Sequence, residues 1–367
     1  MKRGMMGTVF LLCLLLTGCS SWMDGHYASV EPHMERNHKT EDGILSASTR
    51  GQIRGRLGDM VENAIESRTI FLEAMDPELV EKNIQMEIQY ALTNNPLAAY
   101  AVENIDYEIG AIGGIPAVVI NIRYNHNRSE LQRIRQVEEM NAAKGLISAA
   151  LNELEPVIVL KVRNYREVDF AQLVEDYALE QPDWVMEIPQ VIANTYPNAG
   201  LVRVIELKFT YQNSREALRE MKRYVEPRFK AAALYVSGED EQSVKFARLY
   251  AFLMETTHYT LETSITPAYS LLRHSVGDSK AFATVYAAMC RRAGLDCQVV
   301  TGTKAGEPWT WNIICEDGVY YHVDLLRSYD AGIYQKLADW NMDGYVWDYA
   351  AYPQCGPEGE TTDVLEE

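Results

Sequence analysis

Ala293-Gly294-Leu295-Asp296-Cys297-Gln298-Val299-Val300-Thr301-Gly302, then Trp309-Thr310-Trp311-Asn312, then Tyr321-His322-Val323-Asp324, is the stretch from which the fold of the C-terminal third is read. Short runs of β-branched and aromatic residues, separated by glycines and polar turns, predict strands over Cys297 to Thr301, Trp309 to Cys315 and Tyr320 to Asp324. Gly294 is the residue type that ends a helix in the left-handed conformation. The segment before it, opened by Gly277-Asp278-Ser279-Lys280-Ala281-Phe282-Ala283 and running to Ala293, predicts that helix. Further upstream, Glu241 to His258 puts Val244, Phe246, Ala247, Leu249, Tyr250, Leu253 and Met254 on one helical face.

Over about 115 residues, from Glu241 to Cys355, these segments resemble the transglutaminase-like superfamily, a papain-like α+β fold. In that family a helix carries the nucleophile in a Gly-x-Cys-x-x-Phe/Tyr-Ala setting. A turn then enters a strand, and His-Ala-Trp-Asn and Trp/Tyr-x-His-Val-Asp supply the rest of a Cys-His-Asp triad. The run from Ala293 to Gly302, the pair Trp311-Asn312 and the run Tyr321 to Asp324 fit that pattern, as do Trp347, Tyr352-Pro353 and Cys355.

The resemblance implies triad positions at Ser279, Trp309 and Asp324, of which only Asp324 keeps its family identity. In the triad a histidine takes the thiol proton and the carboxylate orients the imidazole. A serine hydroxyl is a weaker acid and needs that base more. Indole has one N–H donor and no basic nitrogen, so Trp309 cannot take a proton. The expectation is a domain with no intact catalytic residue. Its rival is a hydrolase or acyltransferase using Ser279 with a base from elsewhere, yet no spacing ties His258, His274 or His322 to Ser279. Trp309, Trp311 and Tyr321 are candidates to line a groove that binds a peptide or glycan without cutting it. The alternative makes Trp309 a plug in the cleft and Ser279 a helix cap.

The preceding half reads as two similar α+β units. A helix over Gln52 to Ser67 leads to a strand at 69–75, a helix from Pro77 to Leu92, strands Ile105 to Ile109 and Ala117 to Tyr124 around Gly113-Gly114, and a helix from Ser129. About 88 residues on, the order recurs, with strand Val157 to Val162, helix Asp169 to Leu179, strands Gln190 to Thr195 and Leu201 to Tyr211, and a helix from Ser214. Each unit is then βαββα. The alternative is one α+β domain with coincidentally similar turns. No nucleophile, metal cluster or phosphate-cradling loop is found in either unit, His126 is read as solvated, and no cofactor is implied.

At the N-terminus, Lys2-Arg3, the apolar run Val9 to Leu16 and Leu16-Thr17-Gly18-Cys19 read as a secretory signal, since the run is short of the roughly 20 residues that cross a bilayer. The four residues ending at Cys19 resemble the bacterial lipobox, which implies lipid on Cys19 and a cell-membrane anchor on the extracytoplasmic face. The expected organisation is signal peptide 1–18, tether 19–50, first unit 51–152, second unit 153–236, transglutaminase-like domain 237–356 and acidic tail 357–367.

The 367-residue chain holds 34 basic and 52 acidic residues, a formal −18, and losing Lys2 and Arg3 makes it −20. Such acidity excludes nucleic-acid binding by general charge and leaves anchoring to the lipid rather than to anionic headgroups. An envelope protein or wall peptide is the expected partner, and a non-binding structural spacer is the further alternative. Cys290, Cys297, Cys315 and Cys355 lack zinc-site spacing and allow three disulfide pairings.

Overall fold

Thr49 opens the first described helix through a capping box. Its side chain accepts from the Gln52 N–H, and the Gln52 side chain accepts from the Thr49 N–H, so two otherwise unpaired donors are satisfied. The computed structural model describes residues 45–73, 75–254 and 260–357. Cys19, most of the expected tether, His258 and nearly all of the expected tail lie outside the described residues. The helix α1 (Arg50–Glu62) is followed by β1 (Ser67–Leu72), α2 (Pro77–Asn94), α3 (Pro96–Ala101), β2 (Val102–Ile112), β3 (Ile115–Tyr124) and α4 (Arg128–Gln132). β1, β3 and β2 are antiparallel neighbours in that order. Ile53 and Leu57 of α1 and Ile84 of α2 share a core with Ile70, Val118 and Ile120 of this sheet.

β4 (Arg135–Glu139), α5 (Met140–Asn152), β5 (Val157–Asn164), α6 (Phe170–Glu180), β6 (Gln190–Tyr196), β7 (Arg203–Thr210) and α7 (Arg215–Leu234) come next. They form a sheet ordered β4-β5-β7-β6, with β4 parallel to β5. Apart from α3, β4 and the two-residue strand Ser46–Ala47, both sheets share the succession helix, strand, helix, strand, strand, helix and the same antiparallel strand order.

The last third contains α8 (Gln242–Met254), α9 (Pro267–His274), α10 (Ser279–Arg292), β8 (Cys297–Lys304), β9 (Glu307–Glu316), β10 (Val319–Val323), α11 (Leu325–Asp330) and β11 (Tyr345–Val346). Its sheet is antiparallel and ordered β10-β9-β8-β11. The fold is mixed α+β, as the sequence predicts. α10 is buried from Ala281 to Cys290, against Phe246 and Leu249 of α8, Leu271 of α9 and Ile314 of β9. The same core takes in Leu218, Val225 and Phe229 of α7, so apolar packing runs across residue 237. Arg292 pairs with Asp183 and Lys280 with Glu175 across the same boundary. Cys290, Cys297, Cys315 and Cys355 are unpaired thiols. Among the described residues no helix is long and apolar enough to cross a membrane.

Candidate functional site

Asp278 sets the start of α10. Its carboxylate accepts from the Ala281 N–H at 2.9 Å, which makes Asp278 the cap and Ser279 the first helical residue. The capping role considered for Ser279 therefore belongs to its neighbour. Ser279 is buried, and its Oγ accepts from the Thr310 N–H at 3.2 Å, tying α10 to β9. Asn312 reinforces the contact by donating to the Ala283 carbonyl at 2.9 Å.

Alternation along β9 separates two faces. Thr310, Asn312 and Ile314 face α10. Trp311 and Ile313 face away, in the direction of His322, which pairs with Ile313 in register, and Trp309 packs against both cores. Tyr321, paired with Ile314, belongs to the α10 side.

The three residues expected to line a groove thus do not converge on one open surface. Trp311 is fully buried among Val300, Tyr345 and Trp347, and its Nε1–H donates to His322 Nδ1 at 3.0 Å. Trp309 is half-buried beside Asp324, and Tyr321 is half-buried on the opposite face. The space bounded by Ser279, Phe282, Thr310, Asn312, Asp324 and Leu326 keeps a cavity volume of about 0 Å³, with no room for a water molecule.

Asp324 follows β10 and caps α11, where its Oδ1 accepts from the Leu326 and Arg327 amides at 3.0 and 3.2 Å. Its Oδ2 accepts from Trp309 Nε1 at 2.9 Å, Lys304 Nζ at 3.0 Å and the Tyr345 hydroxyl at 2.6 Å. The indole N–H occupies the carboxylate in the way a triad histidine would, but offers no lone pair in exchange. Burial, followed by the hydrogen bond to Asp324, pushes the Tyr345 phenol up, so it remains a donor. Lys304 and Tyr345 escape motif reading. Their only signal is register, since Lys304 and Tyr345 pair across β8 and β11.

His322 is fully buried, with Nδ1 held by Trp311 and Nε2 placed 2.9 Å from Asp339 Oδ1. Indole only donates, so Nδ1 must accept, and the ring proton sits on Nε2 toward Asp339. Burial keeps the imidazole below its ordinary value, with Asp339 opposing. His274 packs edge-on against Tyr269 and joins no triad, while His126, expected in solvent, stacks on Tyr100 at 4.2 Å.

Donor atoms of His322, Asp339 and Cys355 lie within 4.8 Å of one another. The tautomer argues against a metal there, because the Nε2 lone pair that would ligate is replaced by the N–H. The Cys355 thiol is pushed up to about 12 by burial and by the Asp339 charge, so it is a protonated thiol rather than a nucleophile.

Residues 230–353 match the family model of the transglutaminase-like superfamily. Among solved structures the chain is similar to the crystal structure of a TGase, at 13% identity and TM-score 0.25, over 59% of this chain and 63% of that one. It is similar to a proposed cysteine protease from Cytophaga hutchinsonii at 14% identity and TM-score 0.25, over 41% and 65%. A proposed protease from Parabacteroides distasonis aligns at 9% identity and TM-score 0.23, over 57% and 45%. The chain spans less than two thirds of the length of each of these structures. No curated protein matches the chain.

Proposed function

From the membership of residues 230–353 in the transglutaminase-like superfamily, we propose that this chain is an extracytoplasmic lipoprotein, anchored through Cys19, whose transglutaminase-like domain carries out no acyl transfer or hydrolysis. It serves instead as a binding module for an envelope protein or wall peptide. The observation that carries this reading is the Trp309 indole on Asp324 Oδ2 at 2.9 Å, in the place of a base. Among the described residues, the hydrogen-bond partner of the Ser279 hydroxyl is the Thr310 amide, a donor, so nothing there takes its proton. The filled space between Ser279 and Asp324 favours a second reading, a structural spacer without a ligand.

The test is to offer the purified protein a glutamine peptide with an amine acceptor, an isopeptide substrate and a serine-directed fluorophosphonate. No product and no labelling are expected. Turnover that disappears in Ser279→Ala would sink the proposal. The double substitution Ser279→Cys with Trp309→His separates the two readings, since inactivity there, with Lys304 and Tyr345 still holding Asp324 and the space beside Ser279 filled, would favour the spacer. Activity gained in that variant would leave the cleft a usable binding groove. Anchoring is read separately, by incorporation of labelled palmitate that Cys19→Ser abolishes.

A further inference from the structure

Eight consecutive residues at the turn between β2 and β3, Ile109-Gly110-Ala111-Ile112-Gly113-Gly114-Ile115-Pro116, are exposed and include no polar side chain. Ile109, Ile112 and Ile115 are 45, 48 and 50% exposed. In the ladder Ile112 sits opposite Ile115, so both lie on one face of the ribbon, while Ile109 belongs to the other. Gly113 and Gly114, at φ 60° and 84°, make a two-residue turn in the left-handed region, which keeps the tip narrow. The ladder pairs the inward N–H and C=O groups of both strands up to the turn, while the outward groups of the edge strand β2 and of Ile115 stay open, which suits a depth where water still reaches them. A slender ribbon end that is apolar on both faces suits entry into the interfacial layer of a lipid surface, short of the hydrocarbon core. A flat protein partner would cover only one face.

The position of the chain entry gives the second observation. The Ala47 carbonyl accepts from the Glu73 N–H at 3.1 Å, just beyond β1. Phe71 pairs with Ala117, so Glu73 falls at the Ile115 end of β3. Ala47 therefore enters at the same end of this sheet as the apolar tip. The residues between Cys19 and Leu45 reach up to roughly 3.3 Å each, ample length for the tip to meet the surface that holds Cys19. Asp106 and Glu108, farther along β2, limit the apolar stretch to the tip and disfavour anionic headgroups.

We infer that the β2–β3 tip inserts into the interfacial layer of a zwitterionic phospholipid bilayer. This inference rests on the anchoring through Cys19. The lipidated full-length chain is reconstituted in phosphatidylcholine vesicles as Ile112→Trp, and as Glu103→Trp at the far end of β2. Quenching by brominated lipid is read against the unsubstituted chain, whose six tryptophans set the background. Expected are a blue shift and loss of the added emission in Ile112→Trp, and neither in Glu103→Trp. Equal, unquenched signals in a protein that still floats with vesicles overturn the tip and leave the anchor standing. A blue shift that ignores brominated lipid and grows with protein concentration means that a second copy covers the tip, and also overturns it. In Cys19→Ser, weak vesicle binding that falls about tenfold on Ile112→Asn supports the tip independently of the anchor.

Discussion

The Asp324 carboxylate accepts five hydrogen bonds, three on Oδ2 and two on Oδ1, and is almost fully buried. Loss of one donor leaves the charge partly compensated. Trp309→Phe, which keeps an aromatic ring and removes the N–H, should lower stability by about 1–2 kcal/mol in urea unfolding. No loss would mean that the indole bond contributes packing alone. His322 supplies a pH test. Its folded value lies below the ordinary 6.5, so the unfolded chain takes up a proton first as pH falls. Its contribution is complete above pH 6.5 and is lost as pH drops toward the folded value. Glutamine can accept from Trp311 and donate to Asp339, so His322→Gln should flatten that acid-side slope. An unchanged slope would assign it to other groups.

β8 and β11 meet at Gly302. A Cβ there would stand 2.2 Å from the Val346 carbonyl oxygen and 2.9 Å from the Trp311 ring. Gly302→Ala should push β11 away and cost about 1–3 kcal/mol, with faster amide exchange around Tyr345 as the local readout. An unchanged exchange pattern would contradict this packing. At this scale the sequence is informative where periodicity and caps agree. α2 with its Asp76 cap and Pro77, α10 ending at Gly294, and the strands β8 to β10 all lie within a few residues of their predicted bounds. β4 and β11 are short and take their form from neighbours, so no local pattern announces them, whereas α3 has a local signal in its cap Asn95 and in Pro96 at its first position. The site divides the same way. Ser279, Trp309 and Asp324 are singled out by the family resemblance, whereas Lys304 and Tyr345 reach Asp324 only through strand pairing. Trp311 and Tyr321 read as one aromatic surface because sequence does not reveal that register puts them on opposite faces.

α7 carries Leu218, Val225, Phe229 and Ala232 into the core that surrounds α10. A fragment ending at residue 236 would expose that stripe, and it should aggregate or bind a hydrophobic dye where the full chain does not. A soluble, dye-silent fragment would show that α7 is covered by its own sheet. The Arg292–Asp183 and Lys280–Glu175 pairs cross the same junction and add charge matching to the apolar contact. For ancestry this junction has a cost. A recombination that joined the last third to a foreign partner at residue 237 would strip two complementary faces at once. The segment bearing α7 and the segment bearing α10 are therefore expected to pass between genomes as one block, and to change by paired substitutions rather than by exchange of modules.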